Sequence, residues 1–141
     1  MKVDKLLRDS QKIRNIILQE MENPELNGQV IGQKLGISRM HLHRKIKVAT
    51  GKSIGEYILQ LRIEKAQEML LRTEEQITSI AYGLGFKDAS YFTRVFKKKM
   101  NCTPSQFRVM WSSKIQITSP TEPVVEEYQE EVLVRGERQR G

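Results

Sequence analysis

Helical spacing of apolar residues, a glycine-centred turn that occurs twice, and a long apolar-faced segment between the two turns predict an all-α chain. Ile31–Tyr57 (IGQKLGISRMHLHRKIKVATGKSIGEY) recurs as Ile80–Phe107 (IAYGLGFKDASYFTRVFKKKMNCTPSQF). Ile31 aligns with Ile80, Leu35 with Leu84, Gly36 with Gly85 and Ile37 with Phe86. After a one-residue insertion, Leu42 meets Phe92, Arg44 meets Arg94, Ile46 meets Phe96, Lys47 meets Lys97, Gly51 meets Asn101, Ser53 meets Thr103 and Tyr57 meets Phe107. Two copies at a period of about fifty residues are too few for a solenoid. Each copy reads as helix, turn, helix, with Arg and Lys on the second helix. The expected fold is therefore two helix-turn-helix subdomains joined by a long linker helix.

Leu6, Leu7, Ile13, Ile16, Ile17 and Met21 keep helical spacing and predict a first helix ending near Glu22, before Asn23-Pro24. Asn27-Gly28 reads as a turn. Val30, Ile31 and Leu35 then make a short helix closed by Gly36 in a left-handed cap. Ser38 is a good N-cap for the next helix, in which Leu42 and Ile46 face the core while Arg39, Met40, His43, Arg44 and Lys47 project outward. Gly51 ends it. Ser53 caps the linker helix, whose apolar face includes Tyr57, Ile58, Leu61, Ala66, Met69 and Leu70 and which runs to about Arg72. About nineteen residues at roughly 1.5 Å each make a rod near 28 Å long. The second unit starts at Ile77, turns at Gly85 and exposes a helix from about Asp88 to Met100. Asn101 replaces Gly51 at the closing cap, where Asn is the next most tolerant residue. Pro104 starts a short last helix through Trp111. Beyond Ser112 the periodicity stops. Ser119-Pro120, Glu122-Pro123, an acidic stretch and Arg-Gly-rich residues there predict a flexible tail over 113–141. The expected domain spans 1–112, with the first unit over 11–52, the linker helix over 53–72 and the second unit over 76–111.

Charge divides the chain the same way. Residues 1–113 carry 20 Lys and Arg against 11 Asp and Glu; residues 114–141 carry 4 against 6. A basic domain points to a polyanion, nucleic acid before an anionic membrane, unless the lysines serve solubility alone. The single cysteine, Cys102, excludes an internal disulfide and suits a reducing cytosol. No apolar run approaches the roughly 18 residues of a membrane span, and the N-terminus does not resemble a signal peptide. A cytoplasmic location is expected.

A helix-turn-helix reads DNA by laying its second helix in the major groove, where all four base pairs present distinct hydrogen-bond patterns. Arg44 and Arg94 occupy matching positions, each able to make a bidentate contact to guanine, to touch phosphate only, or to pair with a neighbouring carboxylate. Met40 is placed to pack on a thymine methyl or to cover the domain surface, and His43 to donate to a base or phosphate. On the second helix Ala89, Ser90, Thr93 and Arg94 form the expected reading face. Phe92 and Phe96 belong to the core by their alignment with Leu42 and Ile46, and Tyr91 goes either to core or to phosphate. Ser38, Arg39, Lys47, Lys97 and Lys98, with Lys99, are the expected phosphate contacts, which hold register without reading sequence. His41 and His43 lie two apart and share no helix face, so no metal site is expected. Cys102 has no adjacent His, there is no Gly-rich phosphate cradle, and Glu64, Lys65 and Glu68 read as solvated charges, so neither catalysis nor a cofactor is expected.

With both units placed, residues from about Gln11 to Met110 resemble the DNA-binding domain of the AraC/XylS family of bacterial transcription regulators. The resemblance rests on LGISRMHLHRKIK, TGKSIGEYI, LRIEKAQEML and, most specifically, ITSIAYGLGFKDASYFTRVFKK followed by TPSQFR. It implies about seven helices, two reading helices in successive major grooves, and a bend in the DNA where the rigid linker holds them closer than about 34 Å. It places base-reading residues at Met40, His43 and Arg44, and at Ala89, Ser90, Thr93 and Arg94. The chain departs from the family pattern at Ile54, where many members have Pro, and at Asn101, where most have Gly. The small Ala89 and Ser90 make base readout by the second helix a weaker expectation than by the first. The resemblance further implies double-stranded promoter DNA and RNA polymerase as partners. It also implies an upstream sensory, receiver or dimerisation domain outside this chain, in the manner of the output domain of a hybrid two-component regulator. A stand-alone activator, a non-specific nucleic-acid binder and a protein-interaction module are the competing expectations.

Overall fold

The computed structural model describes the backbone of residues 2–117 and the side chains of residues 4–112. Among the described residues the chain forms seven α-helices and no strand. They are α1 (Lys2–Glu20), α2 (Gly28–Leu35), α3 (Arg39–Thr50), α4 (Ile54–Arg72), α5 (Ile77–Gly83), α6 (Ala89–Met100) and α7 (Pro104–Ile117). The two helix-turn-helix pairs are α2–α3 and α5–α6. Helix α4 packs against α1 and α3 on one side and against α5 and α7 on the other, so both halves share it.

Local chemistry accounts for the boundaries. Gly36 and Gly51 adopt positive φ (73° and 76°) at the ends of α2 and α3, and Asn101 does the same at the end of α6 with φ 63°. The linker helix opens on a capping box. Ser53 Oγ accepts from Glu56 N at 3.1 Å while Glu56 Oε1 accepts from Ser53 N at 3.0 Å. The repeat carries this device too: Thr103 and Gln106 exchange the same pair of bonds at 3.1 and 2.9 Å before α7.

Three boundaries differ from expectation. Asn27-Gly28 is not a turn; Asn27 caps α2 by accepting from Val30 N at 3.0 Å, and Gly28 is the first helical residue. A Cβ on Gly28 would lie 2.9 Å from Ile54 Cδ1, so glycine is kept there by close approach to α4. Helix α1 stops at Glu20 rather than near Glu22. Helix α7 continues to Ile117 instead of closing at Trp111, five residues of it falling where the tail was expected, and the rest of that tail (118–141) lies outside the described residues.

One core runs through both halves. In the first it is aliphatic, with Ile13, Ile17, Ile31, Leu42 and Ile46 almost wholly buried. In the second, aromatic rings replace these. Phe86, Phe92, Phe96, Phe107 and Trp111 follow one another at centroid separations of 4.9, 5.8, 5.5 and 6.1 Å. Leu42 and Ile46 thus keep their burial as Phe92 and Phe96, whereas half-buried Ile37 gives way to a fully buried Phe86.

Two arginines close the helix ends that no sequence motif marked. Arg62, on α4 and only 8% exposed, donates Nε to Met21 O at 3.1 Å and Nη2 to Asn23 O at 2.8 Å, satisfying carbonyls at the end of α1. Its guanidinium also lies 5.9 Å from the Phe86 ring centroid. Arg108, on α7, does the same for α4, donating to Leu70 O, Thr73 O and Glu75 O at 3.0, 3.1 and 2.7 Å. Gly85, at φ 93°, sits so close that an added Cβ would collide with both the Met21 carbonyl and the Arg62 guanidinium.

Replacing Arg62 by Met keeps the stem but removes the donors to the Met21 and Asn23 carbonyls, of which Asn23 O keeps its bond from Leu26 N, and is expected to cost about 2–4 kcal/mol in urea unfolding. Gly85→Ala adds a strained φ to a backbone collision and is expected to cost at least about 2 kcal/mol in the same assay. A loss below about 1 kcal/mol in both would show that the junction carries little stability.

Candidate nucleic-acid interface

Each exposed helix is held by one buried side and presents the other. In α3, Leu42 and Ile46 are fully buried, which turns Met40, His43, Arg44 and Lys47 to solvent, with Met40 66% exposed. Ser38 caps the helix, its Oγ accepting from His41 N at 3.0 Å, and Arg39 beside it is exposed. A link to α1 fixes the helix further. Lys45 Nζ donates to Asp9 Oδ2 at 2.7 Å, and Lys5 Nζ stands 3.5 Å from that oxygen.

In α6, Phe92 and Phe96 are buried, and Asp88 caps the first turn by accepting from Ser90 N at 2.7 Å. Ser90 and Arg94 are exposed, Thr93 is half-buried, and Ala89 is half-buried against the core. Lys97, Lys98 and Lys99 line the last turn on exposed positions. Lys47 and the three α6 lysines therefore follow the candidate reading positions in both halves.

The two arginines differ in their surroundings. Among the described residues Arg44 makes no hydrogen bond, ion pair or ring contact. Arg94 has no ion pair among these residues either, but its Cζ lies 5.6 Å from the centroid of the Tyr91 ring. Among the described residues, the carboxylate pairing that the sequence left open for these arginines does not occur. Both cations remain available on one connected scaffold, at equivalent places in two equivalent helices. Such an arrangement suits recognition of a periodic polyanion.

Sequence reasoning missed Arg62, Arg108 and the Asp9–Lys45 pair, all of which act across long separations and carry no local signature. Among the described residues no group of three or more His, Cys, Asp or Glu side chains could hold a metal, and no helix is long and apolar enough to cross a membrane.

The family described as a helix-turn-helix domain matches residues 31–110. An uncharacterized HTH-type transcriptional regulator in the cgkA 5′ region of Pseudoalteromonas carrageenovora is 38% identical over 72% of this chain and 64% of its own length. Histidine kinase P4 of Formosa agariphila is 35% identical over 73% of this chain, but only 8% of that protein is covered. The crystal structure of the C-terminal domain of the two-component response regulator yesN from Fusobacterium nucleatum is 36% identical. It covers 72% of this chain and 98% of that one, with a TM-score of 0.66. The chain spans less than two thirds of the curated relatives it matches.

The Asp9 link gives a pH test. Its hydrogen bond from Lys45 holds the Asp9 carboxyl below its ordinary value of 3.8; burial opposes this, and the charges of Lys45 and Lys5 assist it. A depressed folded pKa means stability that is present above the unfolded value and lost as pH falls through the folded one. Wild type should therefore melt above Asp9→Asn at neutral pH, and the two curves should converge as pH falls well below the ordinary value of 3.8. Parallel curves across that range would remove Asp9 as a source of acid sensitivity.

Proposed function

The chain belongs to the AraC-type family of helix-turn-helix domains, and from that membership we propose that it binds double-stranded DNA sequence-specifically and regulates bacterial transcription. The observation that carries this reading is the duplication itself. Two exposed helices, each with an arginine at the matched position, are held by one shared core. A binder that needed only charge would not require two aligned faces. In this reading Met40, His43 and Arg44 of α3, and Ala89, Ser90, Thr93 and Arg94 of α6, meet base edges. Ser38, Arg39, Lys47, Lys97 and Lys98 meet phosphate. The first unit spans 11–52, the linker helix 53–72 and the second unit 76–111, and the two reading helices enter successive major grooves.

The chain acts as the output domain of a larger, signal-responsive cytoplasmic regulator that contacts RNA polymerase at promoters. Support comes from the relatives: the curated ones are longer than this chain and include a histidine kinase, and one similar solved structure is the C-terminal domain of a response regulator.

Selection of bound duplexes from a random library at about 150 mM salt tests the reading, because non-specific attraction is weakened there. Two enriched blocks about one helical turn apart are expected, and no enrichment would sink specific readout. Arg44→Ala and Arg94→Ala should each cost about 1–3 kcal/mol on the selected site and relax preference at one position. Lys97→Ala should weaken all duplexes alike and reduce the steepness of the salt dependence by about one unit.

A further inference from the structure

Tyr91 does not take the core place that the sequence offered it. It is 43% exposed, so it is not core, and its ring leans on Phe86 at a centroid separation of 6.2 Å and an interplanar angle of 56°. Phe86 is buried and packs 4.9 Å from Phe92, so the ring beneath Tyr91 is part of the rigid core. Above Tyr91 lies the guanidinium of Arg94, one helical turn later.

We propose that Tyr91 is a positioning residue for base recognition, a platform that holds the Arg94 guanidinium in place for the groove. The proposal rests on the reading of Arg94 as a base contact. Side chains on a helix slant back toward its N-terminus, so Arg94 stacked on Tyr91 is directed toward the first turn of α6. That turn carries the short side chains of Ala89 and Ser90, which leave space for a long neighbour to reach past them. Small residues at the start of the reading helix thus cease to be a defect of the second unit. The platform supplies an ordered arginine where the first turn supplies little reach of its own.

The first unit has no counterpart. The position matching Tyr91 is His41, and Arg44 has no ring contact among the described residues. An unrestrained arginine loses rotamer freedom on binding that a stacked one has already given up. The two halves therefore read DNA with one preorganised arginine and one adaptable one.

The test compares the full chain with Tyr91→Phe, Tyr91→Ala, Arg94→Ala and the double variant Tyr91→Ala/Arg94→Ala. Each is titrated against the selected duplex and against duplexes substituted in the α6 half of the site, and thermal melts monitor folding. Tyr91→Phe keeps the ring and should bind as wild type does. Tyr91→Ala should weaken the selected duplex by about 3- to 10-fold and flatten preference at the same base position as Arg94→Ala. The double variant should be no weaker than Arg94→Ala. Equal weakening on every duplex, or loss in Tyr91→Phe, would make Tyr91 a phosphate contact and overturn the proposal. Additive losses, or tighter binding by Tyr91→Ala, would also overturn it, the latter by showing that the stack holds Arg94 away from DNA. If Arg94→Ala itself loses nothing, the base-contact reading fails and the platform fails with it.

Discussion

The Arg62 guanidinium is the contact around which the two halves are organised. It leaves α4, ties off the carbonyls of Met21 and Asn23 at the end of α1, and lies against Phe86 beside the turn of the second unit. Burial lowers its pKa from the ordinary arginine value, yet a guanidinium stays charged under any physiological condition. A buried charge of this kind is tolerable only with its hydrogen bonds made, so its presence holds the first unit, the linker and the second turn together. Gly85 is the complement. A side chain there would displace either the carbonyl or the arginine.

Because α4 is shared, orientation of one exposed helix relative to the other becomes a property of the core rather than of a flexible hinge. Helix α1 is closed by an arginine from α4, and α4 by an arginine from α7, so the structural repeat is longer than the sequence repeat. It comprises α1 to α4 and α4 to α7, overlapping in the linker. Arg62 and Arg108 do not align with each other in the two copies. The same capping requirement has been met twice from different positions.

The halves are equivalent in backbone and unequal in content. Aliphatic packing under α3 leaves its surface arginine unrestrained, whereas the aromatic row under α6 extends outward through Phe86 and Tyr91 to Arg94. Core composition thereby reaches the surface. Phe86, standing where the first copy has Ile37, changes what lies next to the candidate reading residue.

Most of the secondary structure was determined by the sequence alone, because its causes are local. Ser38, Ser53, Gly36, Gly51 and Asn101 act on groups within four residues, and apolar spacing tells which side of α3 and α6 is buried. Alignment of the two copies then placed Phe92 and Phe96 in the core and Arg44 and Arg94 on the surface. What the tertiary structure decided lies at long range. Arg62 meets Met21 across 41 residues and Lys45 meets Asp9 across 36, and neither pairing leaves a pattern in either neighbourhood. Asn27-Gly28 looked like a turn because its glycine answers to Ile54 on another helix. The tyrosine between core and solvent was undecidable from spacing, since its place depends on which ring the folded chain sets beneath it.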